Sequence, residues 1–224
     1  MSDQIDIYTG IHKGQRTRFF DIMMKAGTMD YDDKDSLDRL YHELTAFKEH
    51  VFLHASLEEK FIHPLLSKRV PGGSRKLEED HRTMHQQFDD IEAQIDEIRA
   101  RSTESEMRSN LVLEFYRAWN RFISFYLMHI NEEEENVQPM LWKVCTAKEL
   151  DEAHKAMIAS QNPEELKYDL QIMLPAVNMY ERPEIFYAAR VSMPPQVFQS
   201  LLKVAEQVLS SKDWAALKLK IGSD

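Results

Sequence analysis

Apolar residues recur at every third or fourth position through most of the first two thirds of the chain. This spacing places them on one face of an α-helix, and no stretch alternates with the period of two that predicts a strand. The pattern is broken after residue 25, at the Pro-Gly-Gly-Ser segment 71–74 and near residue 102, which leaves four long helical stretches. Because long helices joined by short connections pack as antiparallel neighbours, residues 1–145 are predicted to form an all-α, up-down-up-down four-helix bundle.

Local signals mark the expected ends of these helices. Gly27 is expected to end the first helix, because glycine readily adopts the backbone conformation that follows many helices. Asp35 or Ser36 can cap the second helix. Ser102-Thr103 and Glu106 can form a capping box ahead of the fourth.

The composition restricts the function classes that this chain can serve. A net charge of -10 and a pI near 5.4 disfavour an electrostatic grip on nucleic acid or on an anionic membrane. The longest apolar run, residues 122–128, is too short to cross a bilayer, and the acidic first ten residues lack the features of a signal peptide. Cys145 is the single cysteine, so no disulfide forms within the chain. A cytoplasmic protein is expected.

Residues 146–224 have a different pattern, with shorter amphipathic stretches separated by prolines. The prolines are Pro163, Pro175, Pro183 and the pair Pro194-Pro195. This part is rich in Met, Phe and Leu and contains a single histidine, so no metal site is expected in it. It is predicted to be a helical extension that covers the bundle or joins two chains as a homodimer, and its role is not predicted.

A histidine, a glutamate and a proline recur in the same register in the second and fourth helices. The two copies are His54, Glu58 and Pro64, and His129, Glu133 and Pro139. In each copy the glutamate follows the histidine by four positions and the proline follows it by ten. Residues four apart on a helix are offset by only about 40°, so each histidine and its glutamate project from one face towards one point.

The first and third helices add histidines to the predicted interior. His81 and His85 lie on or beside the apolar stripe of the third helix, and His12 lies on the side of the first helix that carries Phe19. A single such histidine is more often an ordinary core residue, and an acidic run such as 132–135 is by default solvated. Seven candidates on four successive helices outweigh those interpretations, because burying five imidazoles and two carboxylates without a metal would be very costly. The candidate ligands are His12, His54, Glu58, His81, His85, His129 and Glu133.

Other metal patterns fit these residues less well. Imidazole and carboxylate together suit iron or another mid-row divalent ion, and no thiolate favours structural zinc. A ferritin-like site requires Glu-x-x-His on two helices, and only Glu78 with His81 has that spacing. A zincin requires His-Glu-x-x-His, and alanine at position 46 breaks the pattern that His42-Glu43 begins.

The motifs that carry these residues are IHKGQR from residue 11, HASLEE from 54, HRTMH from 81 and HINEEEE from 129. In order and spacing they resemble the hemerythrin or HHE cation-binding family over about residues 10–145. The resemblance implies a four-helix bundle around two non-haem irons joined by an oxo or hydroxo bridge. It also implies that the five histidines are terminal ligands and that Glu58 and Glu133 bridge the irons. Oxygen-carrying members place an aspartate five positions after the last histidine, so Glu134 is the alternate ligand; the internal repeat favours Glu133.

Counting ligands predicts an open coordination position. Two six-coordinate irons offer about twelve positions, and the implied protein ligands with one bridging oxygen fill about eleven. The remaining position would take O2, NO or peroxide. If only one of His81 and His85 ligates, a further position opens and enzymatic chemistry is favoured. His50 and Tyr126 are expected to support a ligand or line the pocket, whereas His42, His63 and His154 are expected at the surface.

Three functions fit this prediction. The first is a binding protein that takes up O2 or a related small ligand for storage, delivery or sensing. The second is a di-iron enzyme of oxidative or nitrosative stress, such as a peroxidase, an oxidase or an NO-handling protein. The third is an interaction module whose folding responds to iron. The sequence favours the first and does not decide whether the protein is an enzyme.

Overall fold

The computed structural model describes residues 4–101 and 106–222, and no β-strand occurs within these two stretches. The helices are α1 (Thr9–Thr28), α2 (Lys34–Phe61), α3 (His63–Ser67), α4 (Arg75–Ala100), α5 (Glu106–Glu132), a π-helical turn (Glu133–Val137), α6 (Gln138–Val144), α7 (Ala147–Ser160), α8 (Pro163–Ala176), α9 (Glu181–Ser192), α10 (Pro195–Val208) and α11 (Ser211–Ile221). None of the helices in the described part is long and apolar enough to cross a membrane. The chain divides into two compact units, residues 18–145 and residues 1–17 with 146–224.

In the unit 18–145, successive long helices run antiparallel. Arg99, at the end of α4, pairs with Asp38 near the start of α2 at 2.8 Å. His81, near the start of α4, lies 2.9 Å from Glu59 near the end of α2. The same part of α4 meets the end of α5, where His129 lies 3.2 Å from His81. The predicted all-α, up-down-up-down bundle is therefore confirmed.

An aromatic layer fills the bundle next to these histidines. Its members are Phe19, Phe47, Phe88, Trp119, Phe122 and Tyr126, all at most 1% exposed. The Phe122 ring lies between 4.8 and 6.0 Å from four of the others, contributed by three helices. Large rings buried in offset and edge-on contact hold neighbouring helices in one register. This layer fixes the positions from which the site residues project.

Two of the predicted helix ends are wrong. Helix α1 continues through Gly27 to Thr28, and a Cβ at Gly27 would lie 3.2 Å from the Tyr116 ring. The glycine therefore allows a close approach of Tyr116 and does not end the helix. The cap of α2 is Asp33, whose carboxylate accepts from the backbone N–H groups of Asp35 and Ser36.

The capping box predicted at Ser102-Thr103 and Glu106 lies outside the residues whose contacts the structure describes.

The second unit has its own apolar core between α8, α9, α10 and α11. The buried residues include Leu174, Phe186, Phe198, Leu201 and Leu217. The amino-terminal part of α1 packs on α8, where a Cβ at Gly14 would come within 2.9 Å of the Ile172 backbone. Pro163 and Pro195 begin helices, as predicted for prolines that separate them. Pro175 and Pro183 instead lie inside α8 and α9.

Candidate metal centre

Both copies of the sequence repeat end in a distorted helix. Pro64 and Pro139 lack a backbone N–H and crowd the carbonyl four residues earlier, so neither regular helix can continue unchanged. Helix α2 ends at Phe61, and a short helix restarts at His63. In the other copy the chain makes a π-helical turn, in which the N–H of Gln138 donates to the carbonyl of Glu133. Such turns occur frequently at functional sites.

Two buried carboxylates and two buried imidazoles at these distortions meet a third imidazole, that of His81 on α4. Glu58 and Glu133 are 0% exposed. Ligand atoms of His81, His129 and both glutamates all lie within 4.8 Å of one another. Ligand atoms of His54 and the same two glutamates also lie within 4.8 Å of one another. The two glutamates are therefore common to two adjacent groups of metal-ligand type.

Glu58 directs its two oxygens to different histidines. Oε1 lies 3.0 Å from Nε2 of His54, and Oε2 lies 3.4 Å from Nε2 of His81. Neither oxygen forms a hydrogen bond in the described part of the chain, although both distances are short enough for one. Buried carboxylate oxygens that lack a hydrogen-bond partner and lie close to imidazole nitrogens are suited to share a cation.

Acidic side chains contact the far nitrogens of two imidazoles. Nδ1 of His81 lies 2.9 Å from Glu59, and Nδ1 of His129 lies 3.5 Å from Asp80. A carboxylate at Nδ1 favours the tautomer with the proton on Nδ1 and leaves the Nε2 lone pair for a metal. Both Nε2 atoms face the glutamates, and they lie 3.2 Å apart. This separation is that of a hydrogen bond, in which one Nε2 donates and the other accepts.

The glutamates and histidines of the site shift one another's pKa values. Burial acts to raise the pKa of the Glu58 carboxyl, but His54 and His81 outweigh burial and hold this pKa well below its ordinary value. Burial acts to lower the pKa of His81, but Glu58 outweighs it and raises the pKa. Burial likewise acts to lower the pKa of His129, but Glu133 outweighs it and raises this pKa. Glu58 and Glu133 thus favour the protonated forms of His81 and His129.

Metal binding is therefore expected to release protons. A metal needs neutral imidazole, so an ion must displace the protons that His81 and His129 retain above the ordinary pKa of 6.5. Apparent affinity should rise with pH until the raised pKa values are passed and should then level off. Anaerobic calorimetric titration of the metal-free protein with ferrous iron, in two buffers of different ionisation enthalpy, measures the protons released. His85→Gln is the matched control, and an affinity that does not change between about pH 6 and pH 8 would contradict the expectation.

The other residues predicted for the site, apart from His85, are His12, His50, Tyr126 and Glu134. His12 is 0% exposed, and its ring stacks on Tyr8 with the centroids 5.5 Å apart. His50 is buried and its ring lies parallel to that of His54, with the centroids 6.4 Å apart. Tyr126 is buried with its ring centroid 6.1 Å from that of His129. Glu134 is half-buried and belongs to neither metal-ligand group.

The structure does not bring His85 into the site. Its ring is exposed and stacks on Phe52 at 3.7 Å, outside both metal-ligand groups. The reason is helical phase: each step of four residues turns the side chain by about 40°. His81 is one such step from Leu77 and remains on the buried stripe, whereas His85 is two steps away, about 80° from Leu77, and leaves it.

His63 was expected at the surface, and that prediction is wrong. It is 2% exposed, and its ring stacks on His81 with the centroids 5.4 Å apart. Burial lowers the pKa of His63, so the ring is neutral near neutral pH. The repeat contained a signal for it: His63 follows His54 by nine positions, and Gln138, also 2% exposed, follows His129 by nine.

The sequence was compared with known families and proteins. A profile of the hemerythrin HHE cation-binding domain matches residues 3–141, more than half of the chain. The match includes the four long helices and every buried histidine and glutamate described above. No curated protein matches the chain. The chain belongs to the hemerythrin HHE cation-binding domain family.

Proposed function

We propose that this protein holds two non-haem iron ions between Glu58 and Glu133 and binds O2, or the related ligands NO and peroxide, for sensing, storage or delivery. One observation carries the proposal: the two oxygens of Glu58 face different histidines, within two groups of ligand atoms that share Glu133. A carboxylate shared in this way is suited to bridge two ions. The mixed imidazole and carboxylate donors suit iron.

The proposed ligand set follows the structure at most positions. His81 and His129 would hold one ion, His54 would hold the other, and the two glutamates would join them. His12 remains a ligand predicted from the sequence. His85 leaves the proposed set because it lies on Phe52, away from both groups. Glu134 remains only as the alternate to Glu133.

The protein orients the proposed ligands of this centre and keeps water away from them. When bound, ferrous ions would supply electrons and open coordination positions to a small ligand. Glu59 and Asp80 fix the tautomers of His81 and His129. The imidazoles of those two histidines are at most 3% exposed, and that of His129 borders the aromatic layer, so bulk water has little access. A dry surrounding strengthens each electrostatic contact in the site.

The extent of the domain is part of the proposal. We assign residues 1–145 to the metal-binding domain and 146–224 to a helical extension. The family match over residues 3–141 supports this division.

Metal analysis of the purified protein tests the function. About two irons per chain are expected, together with charge-transfer absorption that changes when the reduced protein meets O2, NO or peroxide. Reversal of the change under vacuum would indicate a carrier or sensor. Zinc as the main metal, or less than one iron per chain after anaerobic loading with ferrous iron, would refute the proposal.

A second candidate is an enzyme of oxidative or nitrosative stress. The position of His85 favours it, because one imidazole fewer at the centre leaves a further position for a reactant. Catalytic consumption of peroxide or NO by the iron-loaded protein would support the enzyme. A stoichiometric adduct with no turnover would support the binding protein.

A further inference from the structure

His63 is a buried imidazole beside the metal centre for which the proposed ligand set has no use. It begins α3, directly after the break in α2, and is 2% exposed. Its ring stacks on that of His81 with an angle of only 17° between the planes. His81 in turn points Nε2 at Glu58 and His129. His63 therefore lies beside a proposed ligand, on the rim of the centre.

The described part of the chain offers neither ring nitrogen of His63 a hydrogen bond. Both nitrogens are buried and have no hydrogen-bond partner among these residues. The nearest carboxylate, that of Glu78, lies 3.8 Å from Nδ1, which is too long for a hydrogen bond, and it accepts from Ser74. Buried polar groups in folded proteins almost always have a partner, and a lone one indicates a water, an ion or a ligand. The partner of His63 is thus expected to be a non-protein molecule.

Direct ligation is not the best explanation for this imidazole. Its nitrogens belong to neither group of atoms that lie within 4.8 Å of one another. Its ring instead lies against the face of the His81 imidazole, with the centroids 5.4 Å apart. From there it can reach a molecule bound at the centre more readily than the ion itself.

The sequence repeat provides a second observation. Gln138 occupies the position that corresponds to His63 and is likewise 2% exposed. Each of the two residues immediately precedes the proline that distorts its helix. A neutral imidazole and a carboxamide can each donate an N–H hydrogen bond, and each can also accept one at another atom. The chain therefore buries an N–H donor at the same register in both copies of the repeat.

We propose that His63 donates a hydrogen bond to the small non-protein ligand of the metal centre and thereby sets which ligands bind. This inference rests on the proposed function. Small anions and polar diatomic molecules that can accept an N–H hydrogen bond are the class it favours. Stacking on His81 holds the ring in place, and burial strengthens the bond by excluding water.

Azide binding to the iron-loaded full chain tests this role. His63→Phe keeps a ring for the stack and removes both nitrogens, and azide affinity should fall about tenfold. His63→Gln restores an N–H donor that the chain already uses at Gln138, and affinity should recover to within about threefold of the unchanged protein. His85 lies one turn after His81 in α4 and is exposed, so His85→Gln should leave azide affinity unchanged. Iron content should stay constant in all three variants.

The outcomes separate this inference from the function on which it rests. An unchanged protein that holds no iron or binds no azide refutes the proposed function. If that protein binds azide and His63→Phe binds it equally tightly, only the role of His63 is refuted. Loss of iron in His63→Phe or in His63→Gln would also refute it, because a ligand or structural role would then explain the burial. If phenylalanine prevents folding, His63→Leu gives the same comparison.

Discussion

Replacing Glu58 with alanine is expected to abolish binding of both metal ions. Its two oxygens face His54 and His81 separately, so the loss of one side chain removes a donor from both proposed ions. No other carboxylate in the described part of the chain joins the two groups except Glu133. Iron should therefore fall from about two ions per chain to well below one after anaerobic loading, as measured by mass spectrometry of the metal content.

Replacing Glu133 and Glu134 in turn is the matched comparison for this experiment. Glu133→Ala should repeat the loss, whereas Glu134→Ala should keep both ions because Glu134 is half-buried and belongs to neither ligand group. Circular dichroism of each variant establishes that the bundle has folded. A Glu58→Ala protein that still holds two irons would show that this carboxylate does not bridge them. The reverse result for Glu133 and Glu134 would make Glu134 the ligand.

Removing the metal should lower the melting temperature by a large amount without unfolding the chain at room temperature. A ligand present at a thousandfold excess over its dissociation constant stabilises the folded state by about 4 kcal/mol. For a chain of this size that corresponds to roughly 10 °C for each ion. The metal-free protein should still fold, because the buried aromatic layer does not depend on the metal. Differential scanning calorimetry with and without a chelator measures the shift.

The Glu58→Ala variant is also the control for this stability experiment. It should melt at the same temperature with and without added ferrous iron, because it has lost the shared ligand. Equal melting temperatures for the loaded and the chelated unchanged protein would contradict a buried metal centre. A shift that survives in the variant would mean that the metal binds elsewhere.

The bundle and most of the site could be predicted because they depend on helical period alone. A histidine and a glutamate four apart must project from the same side of a helix, whatever the loops do. The repeat therefore identified His54, Glu58, His129 and Glu133, which the structure brings together. The long apolar stripes predicted the helix neighbours in the same way.

The sequence was less informative where the period drifts or stops. His85 shares the four-residue spacing with His81, but two successive steps of about 40° carry it off the buried face. His63 lies beyond a helix break, so the pattern of α2 gives no information about its direction. The role of Gly27 depends on its contact with Tyr116, a residue that is distant in the sequence.

The π-helical turn Glu133–Val137 gives the last bundle helix two independent rotational phases. In a regular helix Met140, seven residues after Glu133, would lie on the same face as Glu133. Leu141 would lie about 80° away from the direction of Glu133. The extra residue in the turn advances the helix by one position, so Leu141 is fully buried whereas Met140 is only partly so. The direction of the packed face of α6 can therefore change without a change in the face that carries His129 and Glu133. Insertions and deletions within residues 134–136 would alter the packing of α6 while the orientation of the two ligands before them is preserved.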